Sequence, residues 1–262
     1  SGMFPVDSDT LDYNADMLNA FDEISRQDWK IRDVLPKVLT AGSYAGTLSD
    51  SGFELLDGRI AYGTTFAPCE GDAGTGMSAT NSVNARTGNI SAGTSIFSMI
   101  VLDTPLSYVH EEIDLVTTPD GKPVAMIHCN NCTQDFNAWQ PLFGRDFSEL
   151  YKLSLEGDAD CGGVTVCNYL AGECVTHINN GIPLITRTPD ADFNLANISR
   201  AFIYSSFATL KIGMDILASE GVKNDLLIGH GGIFKTKGVA QNYMASALNI
   251  PISCMETAGE GG

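Results

Sequence analysis

Apolar residues recur near helical spacing in TLDYNADMLNAFDEISRQD, which predicts a short amphipathic helix within residues 10–28. The next stretch, LPKVLTAGSYAGTLSD, is punctuated by proline and glycine and predicts short strands and turns. GTTFAP (63–68) reads as a buried strand that delivers a glycine-dense loop, EGDAGTGM (70–77). Residues 77–89 predict a short helix ending in a turn at Gly88. Residues 90–92, the small triplet Gly93-Thr94-Ser95 and the apolar run 96–102 predict a strand, a tight turn and a strand, hence a β-hairpin. A further strand is expected at 123–128. Residues 150–190 are loop-rich and read as an insertion or cap. Residues 194–219 are apolar on most faces, as a buried helix is. DLLI (225–228) reads as a strand, GHGG (229–232) as a glycine loop and VAQNYMASAL (239–248) as a helix with Ala240, Met244, Ala247 and Leu248 on one face. Residues 251–254 read as a last strand. Strand, glycine loop, helix, strand is the order of an α/β unit with a parallel sheet.

Composition narrows the class. The 262 residues are 44% hydrophobic and 18% charged, globular proportions with room for one large domain or two modest ones. A formal net charge of −17 argues against nucleic acid as a partner. It does not exclude a nucleotide, because a glycine loop and a magnesium ion neutralise phosphates locally. The opening SGMFPVDSDTLDYN lacks a basic segment followed by an apolar run, and apolar stretches such as 96–102 are too short to span a bilayer. Seven cysteines, an odd number scattered among apolar residues, predict reduced thiols. Together these features predict a cytoplasmic protein with no membrane partner. The missing initiator Met and the abrupt AGEGG end read as a fragment of a longer protein.

The chemistry centres on Asp72. Its plain role is to cap the following helix, accepting from the amides of Gly74 or Thr75. Its functional role is a general base, a carboxylate at a strand end that takes the proton of a substrate hydroxyl as that oxygen attacks phosphorus. The Gly93-Thr94-Ser95 triplet offers amides and two hydroxyls that suit a terminal phosphate, and serves equally as an ordinary hairpin tip. GHGGIF fails the dinucleotide pattern at Phe234 and lacks the Gly-Lys-Ser/Thr of a Walker loop. Its glycine pair still leaves bare backbone for a flat ring or phosphate, or simply turns the chain. His128, Cys129 and Cys132, with Cys161, Cys167, Cys174 and His177, raise a zinc site. A single CxxC makes buried free thiols the plainer reading. No residue is assigned as a metal ligand. Lys235 and Lys237 sit near the glycine pair, and two lysines on a loop are ordinarily solvated. Glu111 and Glu112 read as a solvated turn, and Asp190 and Asp192 suit the N-terminal dipole of the long helix.

The order of these motifs resembles the C-terminal half of the FGGY carbohydrate kinases, the family of xylulokinase, rhamnulokinase, fuculokinase and glycerol kinase. The resemblance covers nearly the whole chain, including SGMFPVD at the start and the glycine run 258–262 at the end. It implies an actin-like (ribonuclease H-like) α/β fold with a mixed sheet flanked by helices. Residues 1–78 correspond to the tail of a sugar-binding first domain with the catalytic Asp loop. Residues 79–262 correspond to an ATP-binding second domain, truncated at its C-terminus. By the same resemblance Asp72 is the catalytic base, and Gly93, Thr94 and Ser95 form the ATP phosphate turn. Gly231 and Gly232 form the adenosine loop, Thr236 is a polar contact, and Trp139 borders the nucleotide cleft. The implied reaction is ATP- and Mg²⁺-dependent phosphorylation of a ketose or polyol hydroxyl. The partners are a sugar substrate and an N-terminal domain that carries the first phosphate motif and most sugar contacts; without it the fragment is expected to be inactive. A homodimer is compatible with this reading. Departures are Cys69 and Glu70 ahead of Gly71-Asp72-Ala73, and YSSFATLKIG where many members carry a Glu-Gly pair. The alternative is an actin-like ATPase that acts on a partner protein and needs no hydroxyl-activating base.

Overall fold

The computed structural model describes residues 6–255, so the start of SGMFPVD and the glycine run 258–262 lie outside the described residues. The chain divides into two compact units, residues 1–75 with 115–123, and residues 76–114 with 124–262.

The first unit is built from short pieces. Strands β1 (Val6–Asp7) and β2 (Asp12–Tyr13) pair antiparallel across a turn in which Asp7 accepts from the amides of Asp9 and Thr10. Helix α1 (Ala15–Ser25) starts at Asn14, whose side chain accepts from the Met17 amide at 3.0 Å, and stops at Arg26 in the left-handed conformation. The amphipathic helix expected at 10–28 is therefore present but shorter. Helix α2 (Ile31–Val34), strand β3 (Gly46–Thr47), helix α3 (Asp50–Leu55) and strand β4 (Thr65–Phe66) follow. The buried strand expected at 63–68 is not found. β4 has two residues, both exposed, because it pairs only with the equally short β3. From residue 6 to residue 73 no side chain is buried.

Helix α4 (Asp72–Ala79) carries the chain across the boundary after Thr75. The helix expected at 77–89 is thus displaced toward the N-terminus. Thr80 ends it by turning its hydroxyl back onto the Gly76 carbonyl at 2.7 Å. Gly88 belongs to a strand rather than a turn, and a Cβ there would lie 2.3 Å from the Met99 carbonyl oxygen.

The second unit holds the core. Its strands are β5 (Thr87–Ala92), β6 (Ile96–Val101), β8 (Pro123–Cys129), β9 (Val164–Cys167), β10 (Leu184–Arg187), β11 (Leu226–Gly231) and β12 (Ile252–Cys254), while β7 (Asp114–Thr117) falls almost entirely within residues 115–123 of the first unit. Its further helices are α5 (Gln134–Phe143), α6 (Phe147–Ser154), α7 (Leu195–Ser219) and α8 (Val239–Leu248). The main sheet has the order β12-β11-β5-β6-β8-β7. β11 lies parallel to both β12 and β5, while β5, β6 and β8 run antiparallel. The mixture follows from the connections: a three-residue turn can only reverse a strand, whereas the α8 crossover returns the chain in the same direction.

One face of the sheet (Ile90, Ala92, Ile96, Ile100, Ala125, Ile127, Leu227) is buried with Phe202, Ile203, Leu210 and Leu217 of α7 in one cluster. Gly213 lets α7 approach, since a Cβ there would stand 2.5 Å from Ile127 Cγ2. α7 is long and apolar enough to cross a membrane by length and composition, unlike the run 96–102, but 61% of its most apolar window is buried within the structure. The region 150–190 is more ordered than a loop-rich cap. β9 and β10 form an antiparallel pair, and Cys161, Val164 and Val166 join the core.

Candidate active site

Because β5 and β11 are parallel neighbours, the 93–95 turn and the glycine pair leave the sheet at the same edge. Strand ends of this kind are where open α/β sheets bind ligands. Gly229, His230 and Gly231 are not a loop, as the sequence suggests, but the last three residues of β11. Gly231 pairs with Ala92 at φ 103°, and a Cβ on it would meet the Ala92 carbonyl oxygen at 2.1 Å. Gly229 is covered by the Phe234 ring, 2.6 Å from where its Cβ would be. These two glycines serve packing. Gly232, which opens the 3₁₀ turn Gly232–Phe234, has nothing within 4 Å of its Cβ direction, and neither has Gly93. Bare backbone therefore faces open space at two points of one edge.

The turn is wired from behind. The Gly93 amide donates to the Ser95 carbonyl at 2.8 Å. The Gly93 carbonyl accepts from the Thr133 hydroxyl at 2.8 Å, and the Thr94 carbonyl accepts from the Cys132 amide at 3.1 Å. Among the described residues the Thr94 and Ser95 hydroxyls make no hydrogen bond. Thr236 is half-buried two residues past the 3₁₀ turn, with its carbonyl accepting from the Val239 amide at 3.4 Å. Lys235 and Lys237 are exposed. Trp139, on α5, stacks against Phe143 and leans on Phe202.

Asp72 belongs to the first unit, and the phosphate-turn, glycine-pair and Thr236 positions to the second. Asp72 is the first residue of α4 rather than a loop residue or its cap. The Gly71 carbonyl accepts the first helical bond, from the Thr75 amide at 3.0 Å, and also the Thr75 hydroxyl at 2.8 Å. Asp72 Oδ1 accepts from its neighbour, the Ala73 amide, at 2.9 Å, and Glu70 Oε1 accepts from the Gly71 amide at 2.8 Å. The side chain is exposed, and Oδ2 has no hydrogen-bond donor among the described residues. An acid in the first turn complements the helix dipole. A recess of about 330 Å³ in the same unit is lined by Tyr13, Lys37, Thr40, Cys69, Glu70 and Thr118.

Two buried polar groups escaped the sequence reading. Asn89, on β5, is fully buried with neither side-chain polar atom hydrogen-bonded, and Nε2 of His230, on β11, is likewise buried and unpaired among the described residues. Both stand beside Gly76 of α4: a Cβ there would lie 3.6 Å from Asn89 Nδ2 and 3.9 Å from His230 Nε2. The available signal was a polar residue inside each strand, next to glycines. Burial holds the His230 pKa below its usual value.

The cysteines raised for zinc are free thiols. Burial pushes Cys132 up to about 12 and Cys161 up to about 11. Cys129 is raised by burial first and by the nearby Glu173 second. Among the described residues no three His, Cys, Asp or Glu side chains group as metal ligands would. Glu111 and Glu112 lie in a turn, as expected; Glu111 is exposed, whereas Glu112 is half-buried and pairs with His177 at 2.8 Å.

The family model described as the C-terminal domain of the FGGY family of carbohydrate kinases matches residues 88–262. A xylulose kinase of Haemophilus influenzae is 24% identical over 235 residues, covering 88% of this chain and 47% of that protein. Among solved structures, a xylulose kinase from Rhodospirillum rubrum superposes with a TM-score of 0.76 at 14% identity, covering 95% of this chain and 49% of that one. Plasmodium falciparum glycerol kinase with ADP gives 0.75 at 16% identity, covering 97% and 49%. The fold is therefore the one these kinases share, a mixed sheet flanked by helices. The chain spans about half the length of the relatives it matches.

Proposed function

Since the chain belongs to the FGGY family of carbohydrate kinases, we propose that the whole protein phosphorylates a hydroxyl of a small polyhydroxylated substrate, a ketose or a polyol, with ATP. Residues 79–262 act as its nucleotide domain, and residues 1–78 as the tail of a sugar-binding domain that a preceding segment completes. The observation that carries this reading is that Gly93 and Gly232, each with open space at its Cβ position, follow the paired ends of the neighbouring strands β5 and β11. The relatives named above as xylulose and glycerol kinases support the substrate class.

In this reading ATP supplies the phosphoryl group. The amides and unpaired hydroxyls of Thr94 and Ser95 hold its terminal phosphates. The open backbone at Gly232, flanked by Gly231, receives the adenosine, with Thr236 as a polar contact. Asp72 keeps Oδ2 available to take the proton of the sugar hydroxyl while Oδ1 stays tied to the Ala73 amide. Mg²⁺ is held mostly by groups outside this chain. The acidic surface and reduced thiols fit a cytoplasmic location.

The test is the whole protein assayed with ATP against a panel of ketoses and polyols, beside its Asp72→Asn variant. We expect turnover of at least one sugar and a loss of about a thousandfold or more in the variant, the scale of removing both a base and a positioned charge. Sugar turnover unchanged by Asp72→Asn would overturn the assignment. ATP hydrolysis stimulated only by a protein partner would favour an actin-like ATPase.

A further inference from the structure

Glu173 lies in the connection between β9 and β10, far in sequence from Asp72, the 93–95 turn and the glycine pair. It is 2% exposed, and Oε1 has no partner among the described residues. A carboxylate buried this deeply is costly unless its hydrogen bonds accomplish something the fold needs. Its other oxygen, Oε2, accepts twice from one residue, from the Asn131 amide at 3.2 Å and from Asn131 Nδ2 at 3.0 Å.

Asn131 is itself fully engaged. Its Oδ1 accepts from the Ala171 amide at 2.9 Å, and its Nδ2 also donates to the Ala171 carbonyl at 3.2 Å. On either side, Asn130 Nδ2 donates to the Gly172 carbonyl at 2.9 Å and Asn168 Nδ2 donates to the Cys132 carbonyl at 2.7 Å. The loop that supplies these partners is closed on itself by a bridge between Glu173 and Ile178, 2.6 Å and 3.0 Å. The segment 130–133 is thus fixed on one side by the 168–173 loop. Its other side faces the 93–95 turn. The Cys132 amide holds the Thr94 carbonyl, and the Thr133 hydroxyl and amide hold the Gly93 carbonyl.

We propose that Glu173 is a positioning residue for the 93–95 turn, acting through Asn131 and the 130–133 segment. By fixing the carbonyls of Gly93 and Thr94 from behind, this relay aims the amides and hydroxyls of Thr94 and Ser95 outward, toward the terminal phosphates of a nucleotide. The proposal rests on the phosphate role given to the turn above. Preorganised donors of this kind bind without reordering when the anion arrives.

Three variants of the whole protein test it: Glu173→Leu, which keeps volume and removes both acceptors, Glu173→Gln, which keeps a carbonyl oxygen for Asn131, and Thr133→Val, an isostere that cuts only the last link. Thr133→Val leaves the Thr133 and Cys132 amides on the turn; the readouts are calorimetric affinity for ATP, ADP and adenosine, and amide hydrogen exchange at residues 93–95. For Glu173→Leu we expect about a tenfold weakening of ATP, the scale of one lost hydrogen bond to a charged group. Adenosine affinity stays unchanged and exchange at Thr94 and Ser95 speeds up. Glu173→Gln restores both readouts, and Thr133→Val repeats the selective loss of ATP over adenosine in smaller measure. Equal loss of ATP and adenosine, failure of Glu173→Gln to restore, or unaltered exchange at the turn in Thr133→Val and Glu173→Leu would overturn it. Should Glu173→Leu not fold, Glu173→Ala, which also removes both acceptors, takes its place with the same expected outcomes. If the wild-type protein binds no adenine nucleotide, the phosphate role of the turn fails, while the exchange data still decide whether Glu173 positions it.

Discussion

A single strand edge separates glycines that look alike in the sequence. Gly231 is fixed by the Ala92 carbonyl and Gly229 by the Phe234 ring, whereas Gly232 and Gly93 face open space. Only the latter pair is free for a ligand, a distinction that requires knowing which strands are neighbours. Asn89 and His230 both lie beside Gly76, and His230 carries a consequence for pH. Burial disfavours the charged imidazole, so the His230 pKa in the folded protein lies below its value of about 6.5 in the unfolded chain. As pH falls below that value, the unfolded chain takes up the proton first, and stability is lost. Stability is therefore full above the unfolded pKa and declines as pH falls toward the folded one, by at most about 1.4 kcal/mol per pH unit. Thermal melts at pH 7.5 and 5.5 should show a smaller drop for His230→Phe than for wild type. Identical drops would show that this histidine does not contribute.

Among the elements, α7 has the most to lose from one atom. Gly213 sits where any Cβ collides with Ile127, itself fully buried under the sheet's core face. Helix propensity alone would favour replacing this glycine. Overpacking in a filled core works the other way and is the larger effect for a branched side chain. Gly213→Val should cost about 2 kcal/mol or more, read as a lower midpoint in urea unfolding with the slope unchanged. A midpoint within error of wild type would mean that α7 can shift off β8 freely. The same elements show what the sequence made legible. Helix α8 matches its expected range, and α7 and the hairpin around 93–95 lie within a residue or a few of theirs, because apolar spacing and a small-residue turn are local signals. Ends set by tertiary pairing were missed. β11 runs three residues into its glycines because β5 pairs with it that far, and α4 takes in Asp72 because the helical bonding starts at the Gly71 carbonyl. Buried Glu173 and Asn89 and half-buried His230 left no periodic trace, so their roles emerge only from the partners they meet or lack.

For the molecule as a whole, the two units differ in what holds them. The second unit buries a continuous cluster from Ile90 to Met244. In the first, residues 6–73 bury no side chain, and Ile24 and Leu55 stand more than four-fifths exposed, with Val34, Tyr44 and Tyr62 at 60–69%. Ordering a residue's backbone costs about 1–2 kcal/mol, and short helices and two-residue strands cannot offset that without apolar burial. Exposed apolar side chains of this density mark a surface that another segment covers. The relatives are about twice this length, and the preceding segment of the proposed whole protein is the occupant we propose. Amide exchange on the 262-residue chain should then be fast across residues 15–66 and slow in β5, β6, β8 and α7. The same amides of residues 15–66 should gain protection of about a hundredfold or more, equivalent to ~3 kcal/mol of local stability, in a polypeptide that includes the preceding segment. If residues 15–66 exchange as slowly as the β5–β6 hairpin in the chain alone, the first unit stands by itself and needs no cover. If the longer polypeptide leaves their exchange fast, the exposed apolar face belongs to a different partner.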